Sequence, residues 1–136
     1  MTLYYKPVQS NMATKEGKKK WYPHLVKTGT VNITTLAQEI AARSSLTPGD
    51  VYNVIQNLFS SMRDHLLESK SVKFDELGTF TVKSHSDGNG VDSPEEVSPK
   101  QINYLSIHFT PYSKKRGGMG AIKPMLTGAK FQRYGR

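Results

Sequence analysis

The period of apolar positions along the chain first predicts two helices. In two successive segments apolar residues recur every three or four positions, which is the spacing of one helix face. In the first segment, Thr35 and Gln38 have the spacing of a capping box. In the second, Thr47 can cap the helix and Pro48 can occupy its first position. The pattern therefore predicts a short helix and then one of about 20 residues, roughly 30 Å long. The second helix has its apolar positions at Val51, Val54, Ile55, Leu58, Met62 and Leu66.

After Ser69 the apolar period changes to two, which predicts strands. A turn at Gly78 separates the first two strands, so this segment is predicted to form a β-hairpin. A polar stretch, residues 84–101, follows, and a third strand then ends at Pro111. The predicted fold class is α+β, with two helices followed by a three-stranded antiparallel sheet. The strands have their apolar positions at Val72, Phe74, Phe80, Val82, Leu105, Ile107 and Phe109.

Two flanking segments differ from this core in composition. Residues 3–8 and 21–26 are aromatic, strand-like runs joined by a basic loop, and they predict an extra N-terminal β-hairpin. The glycines after residue 116 disfavour a long helix and predict a flexible tail. We therefore predict an N-terminal hairpin extension over residues 1–31, a core over residues 32–116 and a basic, glycine-rich tail over residues 117–136.

The formal net charge of +8 is unevenly distributed along the chain. Residues 1–30 hold six Lys and one Glu, and residues 112–136 hold seven Lys or Arg and no acid. The middle of the chain, residues 31–111, holds six bases and ten acids. Such a basic balance favours a polyanionic partner, and its distribution indicates a structured core with basic ends.

Several function classes find no support in the sequence. The chain has no cysteine, so disulfides and thiolate metal sites are excluded, and a reducing compartment is compatible. We find no signal peptide and no apolar segment as long as a membrane span, which is about 20 residues, so a cytoplasmic protein without a membrane partner is expected. The glycine-rich GGMGAIKP lacks the features of a nucleotide-binding loop. We predict no metal site, because His24, His65, His85 and His108 do not have the spacing of metal ligands. We also predict no enzyme activity, no cofactor and no small-molecule substrate.

The order of these elements resembles the HU/IHF family of histone-like bacterial DNA-binding proteins. TTLAQEIAARSSLTPGDVYNVIQNLFSSMRDHLL resembles the helical pair of that family, and ELGTFTV resembles its GxFxV strand signature. IHFTPYSKK resembles its FxPxxxxK segment. The resemblance covers residues 33–116. A KWYP run at residues 20–23 also resembles a longer HU-like subgroup that has an aromatic N-terminal extension.

This resemblance implies an obligate, intertwined homodimer whose β-arms embrace duplex DNA in the minor groove. It also implies that Gly78 is the turn glycine, that Lys83 lies at the base of the arm, and that Lys114 is the lysine after the FxP segment. The apolar face of the second helix independently requires a larger partner surface than one short helix offers. The residues assigned to the dimer core are Leu58, Phe59, Met62, Phe74, Phe80 and Phe109.

Two departures from the family pattern move the expected DNA contacts to the ends of the chain. The segment at the position of the arm is acidic, with Lys100 opposed by four acids, and Pro94 lacks the family context of an intercalating proline. The closing helix of the family is replaced by the glycine-rich tail. The bases predicted to bind DNA phosphates are Lys15, Lys18, Lys19, Lys20, Lys83, Lys114, Lys115, Arg116, Lys123, Lys130, Arg133 and Arg136.

Three functions remain open at this point. The first is a nucleoid-associated protein that binds duplex DNA with little sequence preference. The second is an HU-like dimeric scaffold that contacts other proteins, and the third is an RNA-binding protein. The role of six aromatic residues is also open: those of the N-terminal runs can form a base-stacking platform or pack the hairpin onto the core, and the two in the tail can stack on unpaired bases or be dispensable. The aromatic residues in question are Tyr4, Tyr5, Trp21, Tyr22, Phe131 and Tyr134.

Overall fold

The structure is a computed structural model that describes residues 1–116, 119–122 and 124–135, with the backbone alone for 114–116 and 119–122. The described residues contain two α-helices and several small β-sheets. The mixed α+β class predicted from the sequence is therefore confirmed.

The chain divides into two compact units. Unit 1 combines Met1–Asn32 with the residues from Leu126 onward, and unit 2 is Ile33–Met125. The domain boundaries predicted at residues 31 and 116 stay a prediction. The grouping of the two chain ends in one unit was not foreseen, because it depends on pairing between residues more than 100 positions apart.

Unit 1 is a three-stranded sheet with β1 in the centre. Strand β1, Thr2–Ala13, pairs antiparallel with β2, Lys19–Leu25. The turn between them contains Gly17 in the left-handed region, with φ of +77°, where glycine carries no steric penalty. The predicted N-terminal hairpin is thus present, and its first strand is longer than the sequence pattern indicated.

The third strand of unit 1 comes from the C-terminal segment. Strand β8, Lys130–Arg133, lies parallel to β1, with Leu3 opposite Phe131 and Tyr5 opposite Arg133. The backbone N–H of Tyr134 also donates to the carbonyl of Tyr5 at 2.9 Å. This pairing differs from the flexible tail that glycine content predicted. A strand of four residues gives too short an alternation to recognise, and its partner is at the other end of the chain.

Unit 2 begins with two helices whose ends are set by local chemistry. Helix α1 is Ile33–Ala41 and helix α2 is Pro48–Leu67, with the 20 residues predicted for it. The capping box predicted at Thr35 is wrong, because α1 begins at Ile33, three residues before the start that a cap at Thr35 would give.

The predicted cap of α2 is confirmed. Thr47 is its N-cap: the Asp50 backbone N–H donates to the Thr47 hydroxyl oxygen at 3.2 Å, and the Asp50 carboxylate accepts the Thr47 backbone N–H at 3.1 Å. The Thr47 hydroxyl also donates to this carboxylate at 2.6 Å. The carboxylate of Asp50 therefore accepts two hydrogen bonds from Thr47, and both lower its pKa, the one from the hydroxyl more than the one from the backbone N–H. Asp50 thus keeps its negative charge at the positive end of the helix.

The sheet of unit 2 has the order β3-β4-β5 and is antiparallel throughout. In register, Phe80 of β4 lies opposite both Val72 and Phe109, so the apolar positions of the three strands share one face. The opposite face is polar. The strand bounds are Val72–Phe74 for β3, Gly78–His85 for β4 and Tyr104–Pro111 for β5, and a separate two-stranded sheet pairs β6, Lys114–Arg116, with β7, Met119–Ile122.

The segment between β4 and β5 is a compact loop and not the extended β-arm implied by the resemblance. Side-chain amides hold it together: Asn89 donates to the Gln101 carbonyl at 3.2 Å and to the Asn103 side chain, and Gln101 donates to the Asn89 carbonyl at 2.5 Å. Asn103 donates to the Asp87 carbonyl at 3.1 Å. Short 3₁₀ turns at Pro94–Glu96 and Pro99–Gln101 complete the loop. Side-chain amides thus satisfy three backbone carbonyls of the loop without a partner strand, and the segment is folded back on itself.

Gly78 is required where β4 starts. It is buried, its φ is +150°, and a Cβ placed there would lie 2.7 Å from Phe109 Cε2 and closer still to the Thr110 carbonyl oxygen. We expect Gly78→Ala to lower the free energy of unfolding by about 2–4 kcal/mol, through backbone strain and overpacking.

Thermal and urea denaturation followed by circular dichroism measure this loss. Gly90→Ala is the matched control, because no atom lies within 4 Å of a Cβ there and its φ is not positive. We expect the control to change stability by less than about 1 kcal/mol. Equal stability of Gly78→Ala and the wild type would contradict the assigned role of Gly78.

Few apolar side chains of a single copy are buried. Among the described residues, Ala37, Val51 and Leu66 form the buried core, and no larger side chain is fully buried. On the apolar face of the unit 2 sheet, Ile107 is 67% exposed, and on α2 Phe59 is 52% exposed. Large exposed apolar surfaces of this kind are typical of faces that a further apolar surface covers.

Candidate nucleic-acid interface

The whole net charge of the chain belongs to unit 1. This unit contains nine Lys or Arg and one acid, Glu16, which gives it a formal charge of +8. Unit 2 has ten bases and ten acids, so its net charge is zero. The linear sequence indicated basic ends, and the fold brings those two ends into one sheet. A polyanion is therefore attracted to unit 1 first.

Four of the predicted phosphate-binding lysines lie where β1 turns into β2. Lys15, Lys18, Lys19 and Lys20 are all exposed, and the turn is closed by hydrogen bonds of Thr14. The Thr14 N–H donates to the Lys18 carbonyl at 2.9 Å, and the Gly17 N–H donates to the Thr14 carbonyl at 2.8 Å. We call these four lysines the basic loop. Hydrogen bonds hold its backbone, and its lysine side chains are exposed to solvent. Such lysines can contact phosphates independently of the base sequence.

The C-terminal bases divide between the two units. Lys130 and Arg133 lie exposed on β8 and therefore belong to the same sheet as the basic loop. Lys114, Lys115 and Arg116 form β6 in unit 2. Lys123 and Arg136, also predicted to bind phosphate, lie outside the described residues. Their DNA contacts, like those of the other predicted bases, stay a prediction.

Lys83 lies on the polar face of the unit 2 sheet. It is exposed on β4, two residues before the end of the strand, with Ser106 opposite. On the same face, the ring of His85 stacks on Tyr104 with ring centroids 4.4 Å apart, and His85 Nε2 hydrogen-bonds Ser106 Oγ at 2.7 Å. Sequence reasoning did not connect these side chains. Strand alternation between Lys83 and His85 was the available signal, but the register with β5 was unknown.

Two further side chains share this polar face and were not singled out from the sequence as phosphate contacts. Lys73 of β3 is paired with Thr79, and His108 of β5 is paired with Thr81, whose hydroxyl donates to the His108 carbonyl at 3.5 Å. Lys73 and Lys83 give this polar sheet surface its positive charge. Such a surface can contact phosphates without displacing apolar side chains.

The residues assigned to the dimer core gather on the apolar sides of α2 and of the unit 2 sheet. Phe80 contacts Phe74 edge-on with centroids 6.1 Å apart, and lies 4.8 Å from the ring of Phe109. On α2, Met62 is half-buried, whereas Leu58 and Phe59 are exposed. Their part in a dimer stays a prediction, and their exposure in a single copy is the observation that favours it.

Other kinds of site find no geometric support in the described part of the chain. No cluster of His, Asp and Glu there has the arrangement of a metal site. No helix of the described residues is both long and apolar enough to cross a membrane.

The fold and charge distribution define an HU-like α+β protein with a strongly basic accessory sheet. The chain belongs to the family described as "HU domain fused to wHTH, Ig, or Glycine-rich motif", whose model matches residues 1–125. This match confirms the resemblance to a longer HU-like subgroup, and it includes the N-terminal hairpin as well as the helices and sheet of unit 2.

A solved structure has a similar fold. It is the crystal structure of a candidate bacterial DNA-binding protein from Bacteroides vulgatus ATCC 8482, with a TM-score of 0.64 and 11% sequence identity. The similarity covers 98% of this chain and 48% of the other, so the chain spans about half the length of that protein. No curated protein sequence matches this chain.

Proposed function

We propose that the protein is a nucleoid-associated, non-enzymatic protein that binds duplex DNA with little sequence preference. The observation that carries this proposal is the concentration of the entire +8 charge in unit 1 beside an HU-like unit of zero net charge. Membership of an HU-domain family and the description of the structural neighbour as DNA-binding support it. Phosphates attract clustered lysines regardless of base sequence, so this charge provides affinity more than specificity.

The binding species is an intertwined homodimer of unit 2. Its formation would cover the apolar faces of α2 and of the sheet, which a single copy leaves exposed. Two copies would also double the number of phosphate contacts. The basic loop, Lys83, Lys130 and Arg133 are the described side chains that would make them.

Strong bending of the DNA is not part of this proposal. The compact loop between β4 and β5 contains Asp87, Asp92, Glu95 and Glu96, and these carboxylates repel phosphate. Proteins that kink DNA insert an apolar wedge between base steps from an extended arm. Here the corresponding segment is folded back by its own amide hydrogen bonds.

The test combines duplex binding with the mass of the free protein. We expect the affinity for a random-sequence duplex of about 30 base pairs to fall steeply with salt, with a log–log slope of about −0.9 per neutralised phosphate. Multi-angle light scattering is expected to give twice the monomer mass of 15.2 kDa. Absence of duplex binding at low salt would overturn the function, and a monomer at micromolar concentration would overturn the dimer.

The compact loop between β4 and β5, which we call the acidic loop, favours a second candidate function. This function is an HU-like scaffold that binds other proteins. Its carboxylates and the exposed Val91 and Val97 would then form the contact surface. Retention of a specific protein partner after nuclease treatment, together with no affinity for duplex DNA, would favour the scaffold over the DNA-binding protein.

A further inference from the structure

One face of the unit 1 sheet is an aromatic and proline-rich cleft. The cleft has a volume of about 690 Å³ and is formed by side chains of all three strands, β1, β2 and β8. Trp21 and Phe131 are 63% and 66% exposed, although both are large apolar residues. The residues that line the cleft are Tyr5, Pro7, Trp21, Tyr22, Pro23, Leu25 and Phe131.

Strand register explains why these side chains, apart from Tyr22, share one face. Tyr5 of β1 lies opposite Leu25 of β2, and Pro7 lies opposite Pro23. On the other side of β1, Leu3 lies opposite Phe131. Because successive side chains of a strand alternate between faces, these positions all point to one side of the sheet. The cleft is therefore a property of the pairing and not of any single aromatic run.

Cations lie at one end and at one edge of this aromatic face. By strand alternation Lys19 lies on the same face as Trp21, and the rest of the basic loop follows at that end. Arg133 is paired with Tyr5 and lies on the same face at the β8 edge of the sheet, between Phe131 and the Pro7–Pro23 pair along the strands. Apolar rings and positive groups thus share one face with a width of three strands, about 10 Å.

This combination discriminates among occupants. A second copy of unit 1 would bring another +8 charge against the first, which is unfavourable within a Debye length of about 8–10 Å. A duplex presents phosphates to the cations but hides the faces of its bases inside the stack. A single strand offers both its phosphates and its unpaired base faces, which are the chemical partners of lysines and exposed aromatic rings.

We infer that the aromatic face of unit 1 is a binding site for single-stranded DNA, with bases stacked on Trp21 and Phe131 and phosphates held by the basic loop and Arg133. The choice of DNA over RNA rests on the proposed function, in which duplex DNA is the ligand of the same chain. Unit 1 then provides recognition of unpaired bases in addition to positive charge.

Trp21 supplies a direct readout, since it is the single tryptophan of the chain. The probe is a thymidylate oligonucleotide of about 12 nucleotides, a length within the range of known single-strand sites. In a titration of the full-length protein we expect saturable quenching of tryptophan fluorescence by the oligonucleotide. We expect a duplex at the same phosphate concentration to give much less quenching, because its bases cannot stack on the ring.

Substitutions locate the site. We expect Trp21→Ala and Phe131→Ala each to weaken oligonucleotide binding by roughly 5- to 100-fold, measured by anisotropy of a labelled strand. Trp21→Phe keeps an aromatic ring and is expected to retain affinity within a few fold. Tyr134→Ala is the matched control: Tyr134 is an exposed aromatic residue of the same unit that packs edge-on against Tyr4 and does not line the cleft. Circular dichroism verifies folding of each variant.

Each outcome decides the inference. Unchanged affinity of both alanine variants, or no quenching by the oligonucleotide, overturns it. Tighter binding of an equal length of oligouridylate overturns the assignment to DNA, and a concentration-dependent blue shift of Trp21 without ligand would identify a second copy as the occupant. Duplex affinity is measured in parallel. If the wild-type protein binds the single strand but no duplex, the proposed function alone is overturned. If it binds the single strand with an affinity that does not depend on Trp21 and Phe131, this inference alone is overturned.

Discussion

Phe59→Asp is expected to abolish the dimer and unfold unit 2. Phe59 lies on α2 with 52% of its surface exposed in a single copy, and the described residues contain three buried apolar side chains. In a dimer the substitution removes apolar contacts worth about 3–5 kcal/mol and places a carboxylate in a covered surface. That loss approaches the whole stability of a small domain, which is about 5–15 kcal/mol.

Sedimentation equilibrium and thermal denaturation measure this effect. Asn53→Asp is the matched control, because it adds the same charge to the polar side of the same helix, where Asn53 is exposed. If Phe59 lies instead on the surface of a monomer, the substitution changes the free energy of unfolding by about 0.5 kcal/mol or less. A folded Phe59→Asp variant with wild-type stability would therefore contradict the dimer.

Replacing all four lysines of the basic loop by glutamine is expected to give the largest loss of DNA affinity. If each lysine neutralises one phosphate, the log–log salt slope becomes less steep by up to about 3.6, and duplex affinity near 0.1 M salt falls by up to about 10³-fold. The loss is the same for all duplex sequences, because the lysines contact phosphates and not base edges. Filter binding across a salt series measures both quantities.

Two controls separate this local effect from total charge. Four Lys→Arg substitutions at the same positions keep the charge and are expected to keep the slope. Arg43→Gln with Arg63→Gln removes charge from the helices of unit 2 and is expected to change the slope little. An unchanged slope in the four-glutamine variant would exclude the basic loop from DNA contact and leave the bases of β8, β6 and Lys83 as the candidates.

The site was only partly predictable from the sequence. Clustering of lysines between two aromatic runs was visible, because a charge cluster is a local property of the chain. The placement of Trp21 and Phe131 on one face was not visible, since it depends on β1 pairing with β2 on one side and with β8 on the other. The grouping of Lys83, Lys73 and His108 likewise required the register of three strands.

The acidic loop illustrates a second limit. Its acidic charge and the context of Pro94 argued against the DNA contacts of a typical arm, but not against an extended arm as such. Whether such a polar segment is extended or compact depends on which backbone groups its amides reach. Asn89 and Gln101 are 12 positions apart, so their mutual hydrogen bonds are not visible in a short sequence window.

What the sequence alone determined was local: the 20-residue helix α2 with its Thr47 cap, the turn at Gly78, the three strands of alternating period and the charge imbalance. These features depend on residues a few positions apart, whose preferred conformations and hydrogen bonds act before any tertiary contact. The tertiary structure alone decided that both ends of the chain form one sheet, that the cations and aromatic rings share a face, and that a single copy leaves its apolar surfaces exposed. These outcomes depend on pairing and burial between distant residues, which short sequence patterns do not specify.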